Sequence, residues 1–406
     1  MHLQTSEPFG NALPQELLQQ ILSELCHHRD FLKSCSLVNR AWLCASRVIL
    51  FRSIDLTALL AQPDWLSAFV KLPFNVGEYA RQITVKKARW LPGVSPTRAL
   101  LLSHFATSVT ALSLSNLVIS NFADFTRTTS ALKGLTTLSL DHVQFETSTL
   151  NLTELTPRDK LALRQLERIS VYHSDIGLVF SWLLSHPVIP KVCKIYAGPC
   201  ETRWKKALVY YCNYTMANLS EIGFRFPDTT SAPYSTYYYV QGVVGYPDLP
   251  TPSTHDSLGD ILSRYEARYG FNPGASGVLP YPSTIRTIRI HTFFGGKGQG
   301  SVIRTIWTPR VLANISEGFR GRIVFDVEVP SVKDIVEGEM DWKMLEDILA
   351  ADIFSGLGAV VFLVLSNVSL EGLESLVSRR MPKAHARGIL RFERADEAII
   401  RPIDVL

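Results

Sequence analysis

The chain has 406 residues, 46% hydrophobic and 19% charged, which excludes a disordered or fibrous polymer and predicts a large buried core. Its 41 basic and 37 acidic side chains leave a net charge of +4, too even a balance to argue for a nucleic-acid partner. The length suits two or three domains, or one elongated repeat domain.

The first predicted elements lie in residues 13–52. Leu13, Leu17, Ile21, Leu22 and Leu25 recur at helical spacing and form one apolar stripe. A polar break, Cys26-His27-His28-Arg29, follows, and Asp30 is placed to cap a second helix carrying Phe31 and Leu32. A third helix carries Val38, Ala41, Trp42 and Ala45. Three short helices bury too little surface to stand alone, so they are expected to lean on a partner or on the rest of the chain.

On Leu13-Pro14, Glu16-Leu17, Ile21-Leu22, Leu25, Asp30 and the run Val38-Asn39-Arg40-Ala41-Trp42, this segment resembles an F-box. That motif docks substrate receptors onto Skp-type adaptors of cullin ubiquitin ligases. The resemblance implies an F-box over residues 8–56, with an adaptor contact through Leu13, Pro14, Leu17, Leu32, Val38 and Trp42. Leu13-Pro14 would present apolar surface at the start of the first helix, and Trp42 the largest apolar area. Trp42 and Ile21 have a competing task, which is to hold the three helices together.

Beyond residue 57 one pattern returns: apolar, two residues, apolar, one residue, apolar. It opens at Ala80, Val109, Leu135, Leu166, Val192 and Leu219, with steps of 29, 26, 31, 26 and 27 residues. After a gap comes Ile285-x-x-Ile288-x-Ile290, then looser copies at Ile323-Val324-Phe325-x-Val327 and Val360-x-x-Leu363-x-Leu365. This is the core of a leucine-rich repeat, whose period is about 20–29 residues. The fold class predicted is α/β: three N-terminal helices, then over 57–406 a leucine-rich-repeat-like solenoid of parallel strands with outer helices. Return helices are predicted over 95–106, 123–132, 157–165, 204–217 and 255–269. His142, His173 and Ala197-Gly198 stand where a repeat of this kind carries Asn or Cys, and Asn116 is a partial match, so the repeats are degenerate. The competing reading is an ordinary α/β domain with similar strand spacing.

Residues 227–284 interrupt the rhythm with a first half rich in Pro, Ser, Thr and Tyr, which predicts a long loop. Tyr234, Tyr237, Tyr238 and Tyr239 are the adhesive side chains of that insertion and candidate target-binding residues; a tolerated surface insertion is the plainer alternative. Further on, 341–351 reads as an amphipathic helix, 359–365 as a strand and 370–380 as a helix stopped by Pro382. Residues 387–392 read as a last edge strand.

Six cysteines without a C-x-x-C pair, and ten histidines without metal-like spacing, give no metal ligand set. Reduced thiols fit a cytoplasmic or nuclear compartment. No basic stretch leading into an apolar run opens the chain, so an export signal is not expected, and the longest apolar run, 353–365, is too short to span a bilayer.

For catalysis, Gly295-Gly296-Lys297-Gly298-Gln299-Gly300-Ser301 is the best candidate. It lacks the order of a phosphate-binding loop and reads as a flexible turn. No G-x-S-x-G or H-E-x-x-H occurs. The expectation is therefore a non-catalytic receptor subunit without cofactor. Its partners are a Skp-type adaptor, through it a cullin, and a protein target, with no nucleic acid and no membrane. Small or polar residues at Thr84, Ser113, Ser139, Ser170, Tyr196, Gly223 and Arg289 would face the target and suggest no charge preference. The rival reading is a repeat scaffold whose N-terminal helices merely cap the first repeat.

Overall fold

The computed structural model describes residues 13–25, 28–57, 76–87, 89–90, 105–147, 163–184, 189–198, 217–225, 284–294, 319–329, 331–337, 340 and 342–395. It also describes positions 186, 211, 212, 215, 308 and 312. Three helices open this part of the chain: α1 (Gln15–Glu24), α2 (Arg29–Cys35) and α3 (Arg40–Leu50). The side chain of Asn39 caps α3 by accepting from the Trp42 amide at 3.1 Å. Val38 therefore lies in the turn ahead of α3 rather than on it. Asp30 sits inside the first turn of α2 and pairs with Lys33 at 2.8 Å, so it does not cap that helix.

Among the described residues twelve strands follow: β1 (Ser53–Asp55), β2 (Gln82–Lys86), β3 (Arg89–Trp90), β4 (Ala111–Asn121), β5 (Thr137–Thr147), β6 (Arg168–Tyr172), β7 (Lys194–Ala197), β8 (Glu221–Arg225), β9 (Thr287–Phe294), β10 (Arg322–Val327), β11 (Ala359–Val364) and β12 (Leu390–Arg394). They form one parallel sheet. Eleven strands lie on a single path in chain order, and β3 pairs with β4 beside it. Parallel neighbours need crossovers. Those described include α4 (Phe122–Ala131), α5 (Ile176–Leu184), α6 (Val332–Glu337), α7 (Trp342–Leu349), α8 (Leu370–Arg380) and α9 (Pro382–Ala386). The chain is thus mixed α/β.

The recurrent apolar triplet accounts for the sheet. Ile83 and Val85, Leu112 and Leu114, Leu138 and Leu140, Ile169 and Val171, and Ile288 and Ile290 are all buried in one continuous core. That core runs from Ile54 to Leu390, and each apolar pair stands opposite the next strand's pair in register. On it, Phe122, Phe125 and Trp182 meet at ring-centroid separations of 5.5–6.2 Å and join α4 to α5. The last copy is registered differently from its prediction. Val360 and Phe362 face the core, while Leu363 turns to the opposite face beside Asp326 and Glu393. A slip of one residue along a strand exchanges its faces.

A second recurrence lies in the turns. Thr110 and Ala111 both donate to the Arg81 carbonyl at 2.8 and 2.9 Å, and Thr136 and Thr137 do the same to Thr110. Glu167 and Arg168 bond Thr136, Cys193 and Lys194 bond Glu167, and Ser220 and Glu221 bond Cys193. The series begins with Arg81 and Gln82 on Arg52, immediately after α3. Two residues after each inward apolar pair, Lys87, Asn116, His142 and His173 all adopt positive φ between 47° and 52°. This conformation is tolerated best by Gly, Asn, Asp and His. The two histidines thus keep the backbone geometry of the asparagine they replace. Register and turns are compatible with a repeat.

Among the crossovers, 122–131 matches its prediction to one residue, whereas α5 and α6 were not foreseen. Pro382 does not simply stop α8: Met381 breaks the helix and Pro382 opens α9 at its first position, where a missing N–H costs nothing. Predicted helices 95–106, 157–165 and 204–217 fall mostly outside the described residues, and 255–269 entirely.

Burial pushes the Cys212 thiol up to about 12, while Cys44 and Cys193 are half-exposed. Alkylation of the folded chain near pH 8, read by peptide mass spectrometry, should modify Cys44 and Cys193 roughly tenfold faster than Cys212. Equal rates would show that the Cys212 side of the core is open.

Candidate functional site

Two surfaces stand out among the described residues. The first belongs to the three helices. Their interior is small: Leu18, Leu22, Leu32, Cys35 and Ala45, with Trp42, Ile49 and Leu50 packed against it. The apolar stripe read from the sequence is split: Leu22 is buried in this interior and Leu25 is half-buried, while Leu13, Leu17 and Ile21 face outward. Leu13, Leu17, Ile21, Phe31, Leu37 and Val38 are 44% to 85% exposed. Among the described residues Val336 is the only other large apolar side chain so exposed. Single exposed leucines mean little, but six in a 26-residue segment mark an interaction surface.

Leu13, Pro14, Leu17 and Val38 are therefore on the surface and not tucked against the first strands. Trp42 is half-buried against the helical interior. Leu32, grouped with them at the sequence level, is buried, because it sits on the side of α2 that faces Leu18 and Ala45. Phe31, its neighbour, takes the outward position and had not been singled out.

The second surface is the polar face of the sheet. Thr84, Ser113, Ser139, Ser170, Tyr196, Gly223 and Arg289 form one lateral row in strand register. The amino-terminal half of that row is small hydroxyls, and Ser113, Ser139 and Ser170, like Tyr196 after them, are at most 5% exposed. These side chains are buried between their neighbours and do not stand out toward a target, contrary to the expectation from sequence. From β6 onward the face becomes ionic and aromatic. Arg168 lies over the Tyr196 ring at 5.7 Å and Arg225 over Tyr172 at 5.4 Å. Gly223 makes room for this cluster: a β-carbon there would strike the Tyr196 ring and lie 3.0 Å from His291 Nε2. Tyr196 donates its hydroxyl proton to Glu221 at 2.8 Å, and burial, with the Glu221 charge, raises its pKa.

Beneath these groups Asp326 is 1% exposed and bonds His291 Nδ1 at 2.7 Å and Arg289 Nε at 2.9 Å. Burial alone would raise the Asp326 carboxyl; the His291 and Arg289 contacts outweigh it and hold the carboxyl below its ordinary range. These partners are 35 and 37 residues away in sequence, so spacing along the chain could not disclose them.

The fold also gathers Asp141, His142 and His173, whose ligand atoms lie within 4.8 Å of one another. Sequence spacing gave no hint of this, because stacking of successive strands creates it. The two imidazoles lie face to face at 4.2 Å, with 19° between their planes, and His142 Nδ1 is 2.9 Å from Asp141 Oδ1. In a face-to-face stack the nitrogen lone pairs run side by side instead of converging on one ion. Tyr234, Tyr237, Tyr238, Tyr239 and the loop 295–301 lie outside the described residues.

No curated protein matches the chain significantly. A family model described as F-box-like matches residues 11–57, a span that holds α1, α2, α3, β1 and the outward apolar surface. On helices, interior and sequence match together, residues 11–57 are an F-box-like domain.

Proposed function

We propose that the chain is the target-recognition subunit of a Skp/cullin/F-box ubiquitin ligase. F-box domains generally bind Skp-type adaptors, and the observation that carries the reading is the outward stripe of Leu13, Leu17, Ile21, Phe31, Leu37 and Val38. A surface of this kind needs a partner to cover it. The body behaves as a leucine-rich-repeat-like solenoid whose polar face holds a target protein. Through the adaptor and a cullin, that target lies near activated ubiquitin. The chain's contribution is proximity, which raises the local concentration of target lysines without a catalytic residue of its own. The adaptor and cullin operate in the cytoplasm or nucleus, and the subunit acts there.

The scaffold alternative, with the helices as a mere cap of the first repeat, requires Leu13, Leu17 and Val38 to be covered by the chain itself. Their exposure speaks against it. The test is co-purification with a Skp-type adaptor. Wild type should bind at micromolar concentrations, and Leu17→Asp plus Val38→Asp should weaken binding at least about a hundredfold, since burying unpaired carboxylates is costly. An adaptor that ignores wild type defeats the reading.

A further inference from the structure

We propose that the row of the sheet face nearest the strand starts, from β6 to β10, is a docking strip for an extended acidic segment of the target protein. The inference rests on the reading of the polar sheet face as the target-holding surface, and it names the chemistry of what is held.

In strand register this row runs Arg168, Lys194, Glu221, Thr287, Arg322. Its one carboxylate is already occupied: Glu221 accepts the Tyr196 hydroxyl at 2.8 Å and lies 3.4 Å from Lys194. Arg168 and Arg322 form no ion pair among the described residues. In the turns directly below, Arg286 and Arg320 are exposed and likewise form none among the described residues. The same turns carry one exposed carboxylate, Glu167 beside Arg168. With Glu221, two carboxylates thus stand against Arg168, Lys194, Arg286, Arg320 and Arg322, and positive charge is in excess along this edge of the face.

The heads of these cations are held in place. The Arg168 guanidinium rests on the Tyr196 ring at 5.7 Å, and Arg322 Nε donates to Thr287 Oγ1 at 3.2 Å. Pinned guanidinium groups lose less entropy on binding carboxylates.

Spacing selects the ligand. Adjacent strands are about 4.8 Å apart, so Arg168 and Arg322, four strands apart, are separated by roughly 19 Å. An extended peptide rising about 3.3 Å per residue covers that with about six residues. One compact anion would meet one end only. Single-stranded nucleic acid would need aromatic platforms, and Tyr172 and Tyr196 are buried beneath the arginines. An acidic peptide satisfies both the span and the charge.

The probe is a fluorescein-labelled ten-residue oligoglutamate, titrated by anisotropy with the full chain against an oligoglutamine of equal length. Micromolar binding of oligoglutamate is expected, falling steeply between low and physiological salt because the contacts are exposed charges. Arg168→Ala plus Arg322→Ala should weaken it at least about tenfold at an unchanged melting temperature. Arg379→Ala plus Arg380→Ala, on α8, should leave it as it was. Arg168→Gln plus Arg322→Gln replaces the alanine pair if that pair melts early. Equal affinity for oligoglutamine, an unaltered double variant, or tighter binding of an oligonucleotide of the same charge would each overturn the proposal. Adaptor co-purification on the same preparation separates the two readings. Adaptor bound without oligoglutamate defeats the strip alone, and oligoglutamate bound without adaptor defeats the ligase assignment alone.

Discussion

Replacing Asp326 by alanine lowers the stability of the body by about 3–5 kcal/mol, the cost of removing one partner from a buried ion pair. Asp326 is the shared acceptor of Arg289 and His291, and without it the Arg289 guanidinium, only 15% exposed, keeps its charge but loses this buried carboxylate. Urea unfolding followed by tryptophan fluorescence measures the loss as a shifted midpoint at constant slope. A change below about 1 kcal/mol would mean that water reaches Arg289 freely. The pH dependence has a definite sign. The Asp326 carboxyl is held below its ordinary value of 3.8 in the folded chain, so its contribution is fully present above that value. It is lost as pH falls through the lowered one. The stability gap between wild type and Asp326→Asn should be flat above about pH 5 and close under stronger acid.

Leu22→Ala has the second large effect, and it is local. Leu22 is fully buried in a helical interior of only Leu18, Leu22, Leu32, Cys35 and Ala45. Deleting its branch from such a core costs about 2–5 kcal/mol, comparable with all the stability so small a module commands. The sheet core does not include these residues. Hydrogen exchange should therefore show α1 to α3 losing protection while β4 to β10 keep theirs, and adaptor binding should vanish with the helices. Simultaneous loss of protection in the sheet would show that the two cores melt as one.

The strands were the most legible part of the chain. A triplet that recurs at near-constant steps has few physical explanations, and the observed register sets Leu112, Leu138 and Ile169 side by side. The copy at 360–365 went astray because the unbroken apolar run from Ala359 to Val364 offers two registers with equal claim. Helix α5 escaped because it is apolar nearly all round, with Ile176, Leu178, Val179, Phe180, Trp182 and Leu183 buried. A helix buried on every side has no stripe to detect. The stripe of α1 shows the opposite limit. Periodicity finds apolar positions but not which way each looks: Leu22 of the stripe goes in together with Leu18, which is off it, while Leu13, Leu17 and Ile21 stay out. The ionic cluster needed the fold itself, since Tyr196, Glu221, Arg289 and Asp326 meet only once β7 to β10 are stacked.

The turn bonds beginning at Arg52 have a geometric consequence. Helix α3 ends at Leu50, and two residues later the Arg52 carbonyl is clasped by the amides of Arg81 and Gln82. A helix advances about 100° per residue, so the residue count between Asn39 and Arg52 fixes the compass bearing of the apolar helical face relative to the sheet. The two surfaces are thereby indexed to each other like parts keyed on one shaft: lengthening α3 by one residue would swing one of them a quarter-turn while leaving both intact.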